Sequence, residues 1–194
     1  MEVRSHLICK GEAWYQINNK LVHTFFDTLW DAFKLSISIG ILYDQARAEL
    51  DDGEEQATVP SNMFNRNSEE MSYYFKTAIL TSNLVDFSEK DRLYLAFSED
   101  VKAEELEGDD QELLIQGVSE KALSFDKVTF LRNFANYGAE KLAACISNND
   151  NETMENLMDF LNDSYNGVTE ELLQMKELSE AFDDELDDEI IEQE

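Results

Sequence analysis

The stretch LVHTFFDTLWDAFKLSISIGILYDQARAEL, from Leu21 to Leu50, decides the fold. Val22, Phe26, Leu29, Trp30, Phe33 and Ile37 recur at spacings of three and four, the pattern of a helix with one broad apolar face. Inside it Leu35, Ile37, Ile39 and Ile41 alternate with Lys34, Ser36, Ser38 and Gly40, which is also the period of a strand. The helical flanks and the lack of an intervening turn residue favour a central helix. Gly40 then marks a close approach of another backbone, or a kink.

Working outward, Glu49 to Asn67 reads as a loop, with Asp51, Asp52, Gly53, Glu54 and Glu55 followed by Pro60, Asn62, Asn65 and Asn67. Val59 is extended before proline, and Met63 and Phe64 pin the loop to the core. Helical spacing predicts a helix from Glu69 to Leu80, with Met71, Tyr74, Phe75, Ala78 and Ile79 on one face, and another beginning at Ser88 with Asp91 at capping distance. Phe125 to Ile146 reads as one helix broken near Gly138, or as two. After a turn at Asn148 to Asn151, Met154, Leu157, Met158 and Leu161 form the apolar side of a short helix ending at Asn166 and Gly167, and a last helix carries Leu172, Leu173, Met175 and Leu178. Val3 to Ile17 is open between a strand and irregular packing. Seven glycines and one proline suit long uninterrupted elements.

The expected fold class is predominantly α, one compact helical domain of about six or seven helices over residues 1–180, followed by an acidic tail over 181–194. With 43% apolar and 11% aromatic residues the chain has the material for a core. Trp14, Trp30, Phe33, Phe75, Phe130 and Phe134 are expected to be that core rather than base-stacking platforms.

Charge narrows the function classes. Forty-three acidic against fifteen basic residues leave −28. Nucleic acid is bound by Lys and Arg that neutralise phosphates, and anionic membranes by basic patches, so neither is an expected direct ligand. No stretch reaches the about 20 apolar residues of a membrane span, and the start of the chain does not read as a secretory signal, so the expected location is cytoplasmic. Cys9 and Cys145 sit among apolar neighbours and read as buried free thiols.

Catalytic constellations are sparse. His6 and His23 lack a His or Cys partner at metal-ligand spacing, no segment matches the glycine-centred calcium loop, and no glycine-rich phosphate cradle occurs. Paired carboxylates are uninformative among 43 candidates, and Asp100 with Lys102 lacks the preceding apolar strand of a nuclease site. No cofactor, metal or catalytic residue is assigned, and the chain is expected not to be an enzyme. Its acids point to a protein partner with a basic surface.

Two segments are candidates for that contact. From Glu170 to Glu194 there are 12 acidic residues and one basic residue, Lys176. Within it Phe182, Leu186 and Ile190 recur at helical spacing among Asp183, Asp184, Glu185, Asp187, Asp188 and Glu189. The second candidate is Glu104, Glu105, Glu107, Asp109 and Asp110. An alternative is a DNA mimic that presents carboxylates where phosphates would lie and inhibits a nucleic-acid-binding enzyme.

The order of features from Phe25 to Ile146 resembles a family. Phe26-Asp27-Thr28 leads to an apolar helix ending Ile39-Gly40-Ile41, then an acidic linker, Val59-Pro60, Phe64 and an aromatic helix, with Asn133-Phe134-Ala135-Asn136-Tyr137-Gly138-Ala139-Glu140 further on. This resembles the small accessory proteins of bacterial Dnd-type DNA phosphorothioation and related antiphage defence systems. The resemblance implies an accessory subunit working beside an ATPase or nuclease, and supplies no catalytic residue.

Overall fold

A computed structural model of the chain describes residues 3–48, 55–98 and 115–167. The fold is predominantly helical, with a single two-stranded sheet among the described residues. The chain divides into two compact units, Met1–Ile146 and Ser147–Glu194.

In the first unit β1 (Leu7–Lys10) pairs antiparallel with β2 (Gln56–Val59), Leu7 opposite Val59 and Cys9 opposite Ala57. These four face inward and are buried, as a period of two requires. The open question about the N-terminus thus resolves into a strand followed by a helix, α1 (Glu12–Gln16), which runs on through a π turn at Ile17–Leu21. The expected loop over 49–67 contains β2 and α3 (Ser61–Arg66). Val59 is extended before Pro60 as expected, and Phe64 is fully buried. His6 Nδ1 accepts from the Ser61 backbone N–H at 3.0 Å, supplying the acceptor that α3 lacks at its start.

The helix expected from Leu21 is shorter. Leu21 O accepts from the amides of both Phe25 (2.8 Å) and Phe26 (3.0 Å), and His23 takes a positive φ of 68°, so the chain reverses before a new start. That start is Thr28, which with Asp31 forms a reciprocal capping box for α2 (Leu29–Leu42). The alternation at Leu35 to Ile41 belongs to a helix surrounded by neighbours. Its hydroxyls are satisfied within the helix, Ser36 Oγ on Ala32 O (2.8 Å) and Ser38 Oγ on Lys34 O (3.1 Å).

Next come α4 (Ser68–Thr81), α5 (Glu89–Phe97), α6 (Glu120–Leu123) and α7 (Lys127–Ala144). The Ser88–Asp91 capping box begins α5 as the sequence indicates. Asp126 caps α7 by accepting from Val128 N and Thr129 N, and the helix runs unbroken through Gly138. Gly138 is the reason α7 can press on α2. A Cβ there would lie 2.6 Å from Ser36 Cα, and one on Gly40 would lie 2.9 Å from Phe134 Cα. Each glycine thus admits the backbone of the other helix.

Aromatic rings line both sides of this crossing. Trp14, Phe33, Trp30 and Phe64 form a chain with centroids 5.8–6.0 Å apart, and Phe134, Phe130, Phe125 and Phe87 form another at 5.0–5.2 Å. Cys9 and Cys145 are both buried. No described helix is long and apolar enough to cross a membrane.

Candidate functional site

The sequence-derived contact residues, Phe182 to Ile190 and Glu104, Glu105, Glu107, Asp109 and Asp110, lie outside the described residues, as do Asp100 and Lys102. His6 and His23 are both exposed. Among the described residues no group of three His, Cys, Asp or Glu side chains comes together in a way that could hold a metal.

Polar clusters in the first unit build the fold. Arg92 donates through Nη1 to Ile79 O (2.6 Å) and Ser82 O (2.8 Å), and through Nη2 to Val85 O (2.8 Å), tying the end of α4 and the following loop to α5. Its neighbour Asp91 accepts from Ser119 N at 2.7 Å with one oxygen and serves the capping box with the other. Those hydrogen bonds, the Ser119 amide foremost, hold its carboxyl below the ordinary carboxylate range.

A cavity of about 350 Å³ opens beside Trp14, walled by Gly11, Ala13, Ala48, Ala143 and Ala144. Its polar groups engage one another. Trp14 Nε1 donates to Asn136 Oδ1 (2.9 Å), Asn136 Nδ2 donates to Arg47 O (3.1 Å), and Arg47 pairs with Glu140. The hydrogen bonds that Glu12 shares with Glu55 and Gln16 lower its pKa. This arrangement joins α1, α7 and the end of the α2 loop.

The second unit differs. A tight turn starts its helix, which is described over residues 150–167. Asn149 is the cap: its Oδ1 accepts from Asn151 N (2.8 Å) and its carbonyl from Thr153 N (2.9 Å). Thr153 Oγ1 accepts from Ser147 N (3.0 Å), and Asp150 and Glu152 place negative charge in the first turn, where the helix dipole favours it.

At about 100° per residue the helix carries three bands. Thr153, Leu157 and Ser164 form a buried one. Beside it runs an exposed apolar seam of Met154 (48%), Met158 (59%), Leu161 (37%) and Tyr165 (71%), spaced four, three and four. Beyond the seam lie Glu155, Asp159, Glu152 and Asp163, all exposed, while exposed Asp150 borders the seam near the helix start. No Lys or Arg occurs from Ser147 to Gly167. The sequence reading set Met154, Met158 and Leu161 on the packed side with Leu157. Of these four, only Leu157 is buried.

This helix presents an acidic band that can attract cationic groups and, on a different face, an exposed apolar ridge that adjoins the band at Glu155. It was legible in part, because the absence of basic residues between Lys141 and Lys176 is plain in the sequence. What the sequence hides is the rotation of the helix, since Leu157 fits the same 3.6-residue period as the seam.

No family model, curated protein or solved structure matches this chain.

Proposed function

We propose that this chain is a non-catalytic accessory or regulatory subunit that binds a protein partner through acidic surfaces, the partner presenting Lys and Arg. The observation that carries this reading is the helix over residues 150–167, which exposes Asp150, Glu152, Glu155, Asp159 and Asp163 without a basic residue among them. Carboxylates so displayed speed encounter with a basic surface and disfavour acidic competitors. The resemblance over Phe25 to Ile146 extends the proposal to a cytoplasmic subunit of an antiphage defence complex, beside an ATPase or nuclease.

Charge density favours this reading over the DNA mimic. Five carboxylates between Asp150 and Asp163 span about 20 Å of helix, one per about 4 Å. Duplex DNA carries one charge per about 1.7 Å. The helix is less than half as dense, and the apolar seam beside its acids has no counterpart in a phosphate backbone.

Affinity capture from the native host, read by mass spectrometry, tests the proposal with wild type and a variant carrying Asp150→Asn, Glu155→Gln, Asp159→Asn and Asp163→Asn. The expected result is a basic partner that is retained by wild type in excess duplex DNA and depleted with the variant. Equal recovery with both proteins, or release by duplex DNA, contradicts it.

A further inference from the structure

The first unit holds a cleft whose charge runs against that of the chain. Its volume is about 440 Å³, and it lies between β1, with the residues that precede it, and the opening turns of α7. Among the described residues that line it, Arg4, Lys10 and Arg132 stand against one acid, Asp126, and His6 joins them. The whole chain has fifteen basic and forty-three acidic residues, so this concavity gathers cations that composition alone would scatter among acids.

The fold builds this lining. Leu7 and Cys9 turn into the core, so Ile8 and Lys10 fall on the outer face of β1, and His6 continues the alternation. Arg4 follows Val3, whose N–H donates to Asn65 Oδ1 (2.9 Å) and whose carbonyl accepts from Asn65 Nδ2 (3.0 Å), which fixes the segment to α3. The Ser61 amide donates to His6 Nδ1, so the neutral ring carries its proton on Nε2 and keeps a donor there. The acid is committed to the helix: Asp126 Oδ1 accepts from the Val128 and Thr129 amides, and Oδ2 from Thr129 Oγ1 (2.8 Å). Those two amides are thereby closed to a ligand.

We infer that this cleft binds the phosphate dianion of a small molecule, with Arg4, Lys10 and Arg132 as its charge partners and His6 Nε2–H as a further donor. A phosphate monoester carries about −1.5 to −2 at pH 7 and three strong acceptor oxygens, and a guanidinium grips two of them with parallel N–H groups. A single carboxylate would answer less of this set. The volume falls within the about 300–1,000 Å³ of small-molecule sites. Charge decides against a polymer. A nucleic acid would extend over a surface that makes the chain −28, whereas a small anion senses mainly what lies within about 8 Å at physiological salt. The site belongs to the first unit and is independent of the acidic helix over residues 150–167.

The test is a heteronuclear NMR titration of the full chain in about 0.15 M sodium chloride, where diffuse attraction is screened, with inorganic phosphate and with ribose 5-phosphate as probes. At least one probe should saturate with a dissociation constant below about 1 mM and shift amides of residues 4–10 and 126–132. Arg4→Gln and Arg132→Gln should each weaken binding at least about tenfold. Lys121→Gln, outside the cleft and over the Phe87 ring, should leave it unchanged. Arg4 is exposed, so its replacement spares the core, and far-ultraviolet circular dichroism checks the fold of each variant. Tighter binding of ribose 5-phosphate assigns the site to an organic phosphate, and equal or tighter binding of inorganic phosphate assigns it to the free ion. Lack of saturation with both probes, shifts confined to other residues, or wild-type affinity in either arginine variant overturns the inference. A short single-stranded oligonucleotide that binds more tightly than both probes overturns the small ligand.

Discussion

Replacing Gly138 by alanine tests the crossing on which the helical body depends. The new Cβ would meet Ser36 O first and stand 2.6 Å from Ser36 Cα, and ordinary contact begins near 3.4 Å, so α2 and α7 must part locally by more than about 0.8 Å. The obstacle is backbone in the middle of a helix, not the end of a flexible side chain. Overpacking of a well-filled interior costs about 1–3 kcal/mol, and the upper end applies where backbone must move. Against this, alanine in a helix gains about 1 kcal/mol over glycine. The net expectation is a loss of about 2 kcal/mol, which for a chain of this size lowers Tm by about 4–8 °C. Gly40→Ala meets Phe134 backbone one turn along the same crossing and should behave alike. The double variant should lose less than the sum of the singles, because helices parted by the first methyl already admit the second. Urea unfolding followed by tryptophan fluorescence reads all three proteins. A neutral or stabilising Gly138→Ala would refute the close crossing, since only the helix-propensity gain would then remain.

Other expectations follow from the polar joints. Arg92→Met strips four backbone carbonyls of their charged donor and should cost about 2–4 kcal/mol by urea unfolding, whereas a loss under about 0.5 kcal/mol would mean that water replaces the guanidinium freely. Because the folded carboxyl of Asp91 titrates below its unfolded value, its stabilisation is complete above about pH 4 and is lost as pH falls through the folded value. The stability gap between wild type and Asp91→Asn should therefore close on acidification below that point, and a constant gap from pH 6 to pH 2.5 would contradict the assignment. Burial pushes the Cys145 thiol up, and Cys9 is fully enclosed, so a thiol reagent at pH 8 should label both only after denaturant is added. Deleting Glu180 to Glu194 should leave cooperative unfolding of the body intact and weaken partner capture, and unchanged capture at low and physiological salt would remove that segment from the contact.

The parts of the fold legible from sequence are those where local chemistry and burial agree. Ser88 with Asp91 and the extended Val59 before Pro60 each have one physical solution, and the structure takes it, whereas Gly40 allowed a close approach or a kink and the structure holds the close approach. The failure at Leu21 to Phe26 has an equally specific cause. Val22 and Phe26 keep helical spacing, but Leu21 O accepts three following amides and His23 enters the left-handed region, a tertiary choice that side-chain period does not encode. The loop over 49–67 hid a strand because Gln56–Val59 is only four residues long and draws its stability from Leu7–Lys10, far away in sequence. On the functional side, the acid-only composition of 147–167 was readable. The outward rotation of Met154 and Met158 was not, because Leu157 competes for the same face and burial decides between them.

Oxidative footprinting of Met154 and Met158 in the full-length protein, free and saturated with the partner recovered by capture, bears most directly on how this chain is held. Met158, 59% exposed, should oxidise readily in the free protein and become several-fold slower in the complex, with Met154 protected in parallel. Unchanged oxidation of both methionines in a saturated complex would contradict the assignment of this helix as the contact surface.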